Sequence, residues 1–250
     1  MTGRLEDRVA IVTGASSGIG RAIVERFCSE GAKVLAVDLD AAKLAAAHQA
    51  GETLELLAQD IAAPGAAEGI VRRAMEAFGR LDILVNNAGV CLHQPMDQTT
   101  DDNWDRTMAV NVTAMFRLCR AAIPALRESG RGRIINTSSI MGHQATVELG
   151  AYNASKHAVA GLTKTLALEL GTDGTTANYI LPGAVRTGMT QPWIDGNPAL
   201  ETAYADLGVM GRMGEPRELA SAFLFLASDD ASFVTGHGLA VDGGALARVH

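Results

Sequence analysis

Short apolar runs alternate along this chain with longer stretches in which apolar residues return every three or four positions. Val9-Ala-Ile-Val-Thr13 is the first run, and it leads straight into a glycine-rich turn. Ile19, Ile23 and Phe27 then recur at four-residue steps, the spacing of one helix face, and Gly31 stops that helix. Lys33–Val37 predicts a second strand, and Ala41 to about Ala50 an alanine-rich helix. Further strands are predicted at 53–57, 81–85, 133–136, 176–181 and 239–241. Helical stretches of about 64–78, 104–128 and 152–170 fall between them.

Strands that are almost wholly apolar and interleaved with helices belong to a parallel sheet covered on both faces. The expected fold is therefore α/β, a single doubly wound parallel sheet of Rossmann type with helices on both faces. No repeat, low-complexity block or linker cuts the chain, so residues 1–250 are expected to form one domain. Residues 186–212 lack a clear period and carry Gly188, Pro192, Gly196, Pro198, Gly208 and Gly211. A long irregular segment in such a domain serves as a lid or binding loop, and a mobile substrate loop is expected there.

Composition narrows the function classes. Of 250 residues, 48% are hydrophobic and 20% charged, which suits an ordinary globular domain rather than a disordered chain. The net charge of −7 argues against whole-molecule attraction to nucleic acid or an anionic membrane. Cys28, Cys91 and Cys119 are odd in number and lack any C-x-x-C pairing, so they read as buried thiols of a reducing compartment. The first eight residues carry mixed charge and no apolar core, unlike a secretory signal. No apolar stretch approaches the roughly 18 residues of a membrane-spanning helix, so a soluble, cytoplasmic protein is expected.

The first strand runs into Thr13-Gly14-Ala15-Ser16-Ser17-Gly18-Ile19-Gly20 and then into the first helix. Glycines permit a tight turn and let the backbone approach a pyrophosphate, while the helix's free N–H groups and positive dipole end face it. The spacing is G-x-x-x-G-x-G rather than G-x-G-x-x-G, and the Lys-Ser/Thr ending of a P-loop is absent, which disfavours nucleoside triphosphate hydrolysis. Asp38 follows the second strand about twenty residues on, with Leu39 beside it. A carboxylate at that tip can accept both ribose hydroxyls of an adenosine and would repel a 2′-phosphate. Neither Ser16 nor Ser17 is basic, so NAD is expected over NADP. A ligand-free β-to-α turn and a solvated acid are the plain alternatives.

Tyr152 and Lys156 lie four residues apart and share one face of the long helix. A free tyrosine titrates near 10, and a lysine ammonium within a few ångströms should stabilise the phenolate and lower that value. The phenol would then serve as a general acid and base near neutrality. The bland alternative is a surface pair worth a few tenths of a kcal/mol. Ser139 lies thirteen residues before Tyr152, just past a predicted strand, where a hydroxyl can bond a substrate oxygen. Ser138 competes with it, and spacing alone leaves both open. Asn111 falls mid-helix, where asparagine is a mediocre helix former and calls for a hydrogen-bond partner.

With these residues assembled, the chain resembles the short-chain dehydrogenase/reductase family in its compact form. The resemblance runs from Arg8 to Gly244. It rests on the Thr13–Gly20 turn, Asp60, Asn86-Asn-Ala-Gly89, Asn111, Ser139, Tyr152-Asn-Ala-Ser-Lys156, Pro182-Gly183 with Thr187, and Val241-Asp-Gly-Gly244. It implies that Tyr152 exchanges the proton and that Ser139, rather than Ser138, holds the substrate oxygen. Lys156 would bind the nicotinamide ribose as well as tune Tyr152, and Asn111 would anchor a water-linked proton relay. Asp60 and Ile61 would meet the adenine, and Asn87, Ala88 and Gly89 would line the adenosine side. Val185 and Thr187, after Pro182 and Gly183, would hold the nicotinamide end. The resemblance further implies a homotetramer, or else a homodimer. Thr175-Thr-Ala-Asn178 departs from the family in lacking a basic residue before the last long strand.

The cofactor would supply the hydride, and the protein position and proton transfer. Substrate choice should come from His93, Gln94, Met141, His143, Gln144, Glu148, Met189 and Trp193. Several are polar, which hints at a hydroxylated substrate such as a polyol or sugar derivative, with solvent-facing loops as the alternative. His143 and Glu148 lack the company of a metal site, so no metal is expected. The leading expectation is an NAD-dependent dehydrogenase or reductase that transfers hydride between NAD(H) and a small-molecule secondary alcohol or ketone. A 3-oxoacyl thioester reductase using NADPH is the alternative, and a dinucleotide-sensing or scaffold protein the non-enzymatic one.

Overall fold

A computed structural model of the chain describes residues 3–248. Among them, seven strands form one sheet: β1 (Val9–Thr13), β2 (Lys33–Asp38), β3 (Leu54–Ala58), β4 (Ile83–Asn86), β5 (Arg133–Thr137), β6 (Thr176–Pro182) and β7 (Gly238–Val241). Every pairing is parallel and the order is β3-β2-β1-β4-β5-β6-β7. The chain winds outward from β1 to β3, then crosses back to β4 and winds the other way. That reversal opens a crevice at the carboxyl ends of β1 and β4, where such sheets take their ligands.

Period-two alternation sorts the strand residues between two cores. Ile11, Leu35, Leu84 and Ile134 face α3 (Ala66–Phe78), α5 (Met115–Ser129) and α6 (Gly150–Leu170). Val12, Val34, Val85 and Ile135 face the other layer, which holds α1 (Gly18–Ser29), α2 (Ala41–Ala47) and α9 (Pro216–Ala227). The expected doubly wound sheet of Rossmann type is therefore the observed one.

Three elements differ from the periodic reading. Helix α9 was missed, although Glu215 and Glu218 form a reciprocal capping box and Pro216 opens the helix. Its Phe223 and Leu224 are buried, with α1 packed alongside. The expected helix at 104–128 is longer: α4 (Asp101–Met108) continues through a π-helical stretch, Ala109–Ala114, into α5. This 29-residue run is long enough to cross a membrane and holds an 18-residue window that is apolar enough, with a mean hydropathy of 1.2, contrary to expectation. Its Leu118, Cys119, Ala122 and Leu126 instead pack in the core, so the apolar content is that of a helix seated on the sheet. The irregular segment 186–212 contains two short helices, α7 (Gln191–Ile194) and α8 (Pro198–Ala205), the second capped by the Asn197 side chain.

The amino edge of the sheet is tied by charge. Asp82 is fully buried and accepts from the Val9 N–H (2.9 Å), Arg80 (2.7 and 2.9 Å) and the Ser129 hydroxyl (2.6 Å), joining β1, β4 and the end of α5. Burial alone would raise its pKa, but these donors outweigh that and hold it below the usual carboxylate range. Replacing Asp82 with Ala should cost about 2–3 kcal/mol of unfolding free energy. Because the folded-state pKa is depressed, the difference from wild type should shrink as pH falls below about 4, as chemical denaturation across pH would show.

Candidate active site

Strand β1 delivers the chain to the carboxyl edge, where Gly14 (φ +67°) and Gly18 (φ +52°) take left-handed backbone that other residues resist. The turn is held on both flanks. On one side the Asn87 amide donates to the Thr13 and Gly14 carbonyls (3.1 and 3.4 Å), and the Asn87 N–H donates to Thr13 Oγ1 (3.0 Å). On the other, the Ser16 N–H donates to Asp38 Oδ2 (2.9 Å), while Asp38 Oδ1 accepts from the Asp40 N–H (3.2 Å). Ser17 caps α1 without a side-chain hydrogen bond, so the first N–H groups of the helix face outward as donors for an anion.

From this turn a cleft of about 1120 Å³ runs across the carboxyl edge. One end is lined by Asp38, Leu39, Asp60 and Ile61, and the middle by Gly14, Ser16–Ile19 and Asn87–Gly89. Ser139, Tyr152, Lys156, Pro182, Gly183, Val185 and Thr187 line the other end. Of the residues expected to meet a cofactor, only Gly20 does not line it. A Cβ on Gly20 would stand 2.0 Å from the Gly14 carbonyl, so Gly20 lets helix and turn pack against each other instead.

The two serines after β5 are distinguished by their bonds. Ser138 Oγ donates to the Lys156 carbonyl (2.9 Å), pinning the strand end to α6. Ser139 Oγ accepts from the Met141 N–H (3.1 Å), which leaves its own proton to donate. Lys156 Nζ donates to the Thr137 carbonyl (2.9 Å) and lies 5.4 Å from the centre of the Tyr152 ring. Asn111 is buried behind the wall, within the π-helical stretch. Its amide donates to the Val90 carbonyl (2.9 Å) and Ser155 Oγ (3.1 Å), and its carbonyl accepts from the Val90 N–H (2.8 Å). It braces the loop after β4 rather than facing the cleft.

The electrostatics depart from expectation. Burial raises the Tyr152 phenol well above its ordinary value, Cys91 adds to this, and the Ser139 hydroxyl pulls the other way. Burial in turn brings the Lys156 ammonium down from 10.5 to about 8. Without a dinucleotide the phenol therefore keeps its proton and is poised as an acid.

Among the expected substrate residues, His93, Met141, Glu148, Met189 and Trp193 line the cleft, with the His93 and Trp193 rings 4.7 Å apart between centroids. His143, Gln144 and Gln94 do not. His143 Nε2 pairs with the Tyr179 hydroxyl (3.1 Å), which turns the ring away from the cleft, and Gln94 accepts from the Asn103 amide (2.8 Å). Gln144 sits in the same turn, its N–H bonded to the Ile140 carbonyl (3.0 Å). Sequence reasoning missed Cys91, Val147, Tyr204 and Leu207, which also line the site. Tyr204 and Leu207 sit where the chain shows no period, and only their place in the irregular segment marks them. The cysteines also differ from expectation: Cys119 is buried, but Cys28 and Cys91 are only partly so. Burial still lifts the Cys91 thiol to about 11.

The family model described as enoyl-(acyl carrier protein) reductase matches residues 14–245. The chain is 41% identical to 3β-hydroxysteroid dehydrogenase 2 of Eggerthella lenta, over 96% of this chain and 95% of that protein. It belongs to the short-chain dehydrogenase/reductase family. This short-chain dehydrogenase is also 37% identical to the 3-oxoacyl-[acyl-carrier-protein] reductase FabG of Vibrio cholerae, over 96% of this chain and 98% of that one. Its fold matches a crystal structure of a Brucella melitensis 3-ketoacyl-(acyl-carrier-protein) reductase complexed with NADH. The TM-score is 0.89 at 34% identity, over 96% of this chain and 99% of that one. It is an oxidoreductase.

The depressed Lys156 pKa carries a stability signature. Between about pH 8 and 10.5 the unfolded chain binds a proton there that the folded dehydrogenase does not, so folding gains as pH rises through that window. The unfolding free energy of wild type relative to Lys156→Met should rise by roughly 3 kcal/mol across it. A flat difference in denaturation series would show an ordinary lysine.

Proposed function

We propose that this short-chain dehydrogenase uses NAD(H) to interconvert a bulky apolar secondary alcohol and its ketone. The observation that carries the reading is one continuous cleft with the Asp38 carboxylate at one end and Ser139, Tyr152 and Lys156 at the other. The residues suit a nicotinamide dinucleotide. The outward N–H groups of α1 fit a pyrophosphate, and a Cβ on Gly18 would crowd Thr187 at 3.1 Å, so the turn leaves room only as glycine. When bound, the dinucleotide supplies or receives the hydride.

The protein's own part is position and proton transfer. In reduction, the Tyr152 hydroxyl gives its proton to the carbonyl oxygen while Ser139 Oγ donates a hydrogen bond to the same atom. Oxidation runs the proton the other way. The Lys156 ammonium holds the cofactor ribose and favours the transient phenolate, which burial otherwise disfavours. Asn111 acts through the loop it braces. The segment 186–212 closes over the substrate through Met189, Trp193, Tyr204 and Leu207.

The substrate class follows from those walls. With His143, Gln144 and Gln94 turned away, Met141, Val147, Met189, Trp193 and Leu207 give the chamber a mostly apolar wall beside His93, Glu148 and Tyr204, which supports a broad apolar ring system with a few polar groups over a polyol. A hydroxysteroid dehydrogenase among the relatives agrees with this. The FabG relative and Lys43, which lines the cleft near Asp38, favour a second reading: reduction of a 3-oxoacyl thioester with NADPH. Lys43 is 3.3 Å from Asp40, and that pairing leaves Asp38 to face the ribose. Assembly into a homotetramer or homodimer belongs to the same proposal, supported by exposed Phe116, Leu168 and Phe233.

Tyr152→Phe keeps the ring and removes the proton, so kcat for ketone reduction should fall at least hundredfold while NADH affinity stays within threefold. Turnover near wild type would remove Tyr152 from the chemistry. Asp38→Ala with Leu39→Arg should shift the ratio of kcat/KM for NADH over NADPH at least tenfold toward NADPH, by ending the repulsion of a 2′-phosphate. An unchanged ratio in steady-state assays would overturn the NAD assignment.

A further inference from the structure

His48 caps the carboxyl end of α2 in extended backbone and is nine-tenths buried. It does not line the cleft. Its Nε2 lies 2.8 Å from the carbonyl oxygen of Ala15, in the middle of the glycine-rich turn. A carbonyl can only accept, so His48 carries a proton on Nε2 and donates it. The Ala15 N–H, for its part, donates to the Val37 carbonyl (3.1 Å) at the end of β2. Ala15 is itself fully buried, so its carbonyl has no water to replace a lost donor.

These bonds form a closed frame. Strand β2 holds Ala15 through Val37 and Ser16 through Asp38. Helix α2 is fixed at its start by Asp40, whose side chain accepts from the Ala42 and Lys43 N–H groups (both 3.0 Å), and at its end by His48. The residue that closes the frame thus lies some thirty positions from the turn it holds, on the element that follows the ribose-facing carboxylate. Resting on the dinucleotide reading above, we propose that His48 is a positioning residue. It locks the pyrophosphate turn through Ala15 and so ties the two halves of the dinucleotide site together.

Two variants separate the hydrogen bond from packing. His48→Leu fills the space without a donor, and His48→Gln keeps an N–H that can reach Ala15. NADH titrated into the full-length protein by fluorescence should bind at least fivefold more weakly to His48→Leu and within twofold of wild type to His48→Gln. The kcat at saturating NADH should stay within twofold in both, because the reactive end is untouched. In the cofactor-free protein, amide hydrogen exchange across residues 13–20 should be faster in His48→Leu and wild-type-like in His48→Gln. Wild-type affinity and exchange in His48→Leu would overturn the proposal, as would a loss that glutamine fails to restore. Should the wild type bind no nicotinamide dinucleotide, the functional reading falls, and the exchange rates still decide whether His48 locks the turn.

Discussion

A reciprocal pair of hydrogen bonds between β5 and α6 sets the register of the reactive end. Ser138 reaches from the strand end to the Lys156 carbonyl, and Lys156 reaches back to the Thr137 carbonyl. The clasp fixes both the rotation and the height of α6 against the sheet. Tyr152, one helical turn earlier, is then held above the strand end, and Ser139 is turned to face it. Side chains on two elements can meet repeatedly only if neither element slides.

The same arrangement explains the unusual charges. A phenol and an ammonium are both taken out of water, so burial opposes the charged form of each. The protein thus holds a neutral acid beside a cation that gives up its proton readily. At the far end of the cleft, the Asp38 carboxylate stays tied to the backbone of the glycine turn. The cleft is therefore polarised along its length, negative where an adenosine ribose would lie and proton-donating where a carbonyl would.

Much of this was legible in the chain. Short apolar runs against a three-to-four-residue period place β1, α1, β2 and α6 within a residue or two, because the strands are buried on both faces and the helices on one. The turn at Thr13–Gly20 and the Tyr152–Lys156 pair were readable because backbone geometry and helix spacing are local properties. What escaped depended on partners distant in sequence. His143 reads as a loop residue facing a ligand, yet a tyrosine 36 positions away on β6 takes its ring. Lys156 reads as a neighbour that acidifies Tyr152, yet in the folded protein burial of the phenol dominates and raises it. Asn111 hints at a buried partner but not at the π-helical stretch that carries it. Helix α9 had a local signal in its capping box, which the apolar run after it obscured.

Whether one cleft brings a nicotinamide and a carbonyl together at Tyr152 is tested most directly by a single turnover with NADH deuterated at the transferring position and a cyclic steroid ketone, in ordinary water. The deuterium should appear on the carbinol carbon of the product, while the hydroxyl proton comes from solvent. Product that carries only solvent hydrogen at that carbon, or no turnover with NADH or NADPH and any ketone tried, would contradict it.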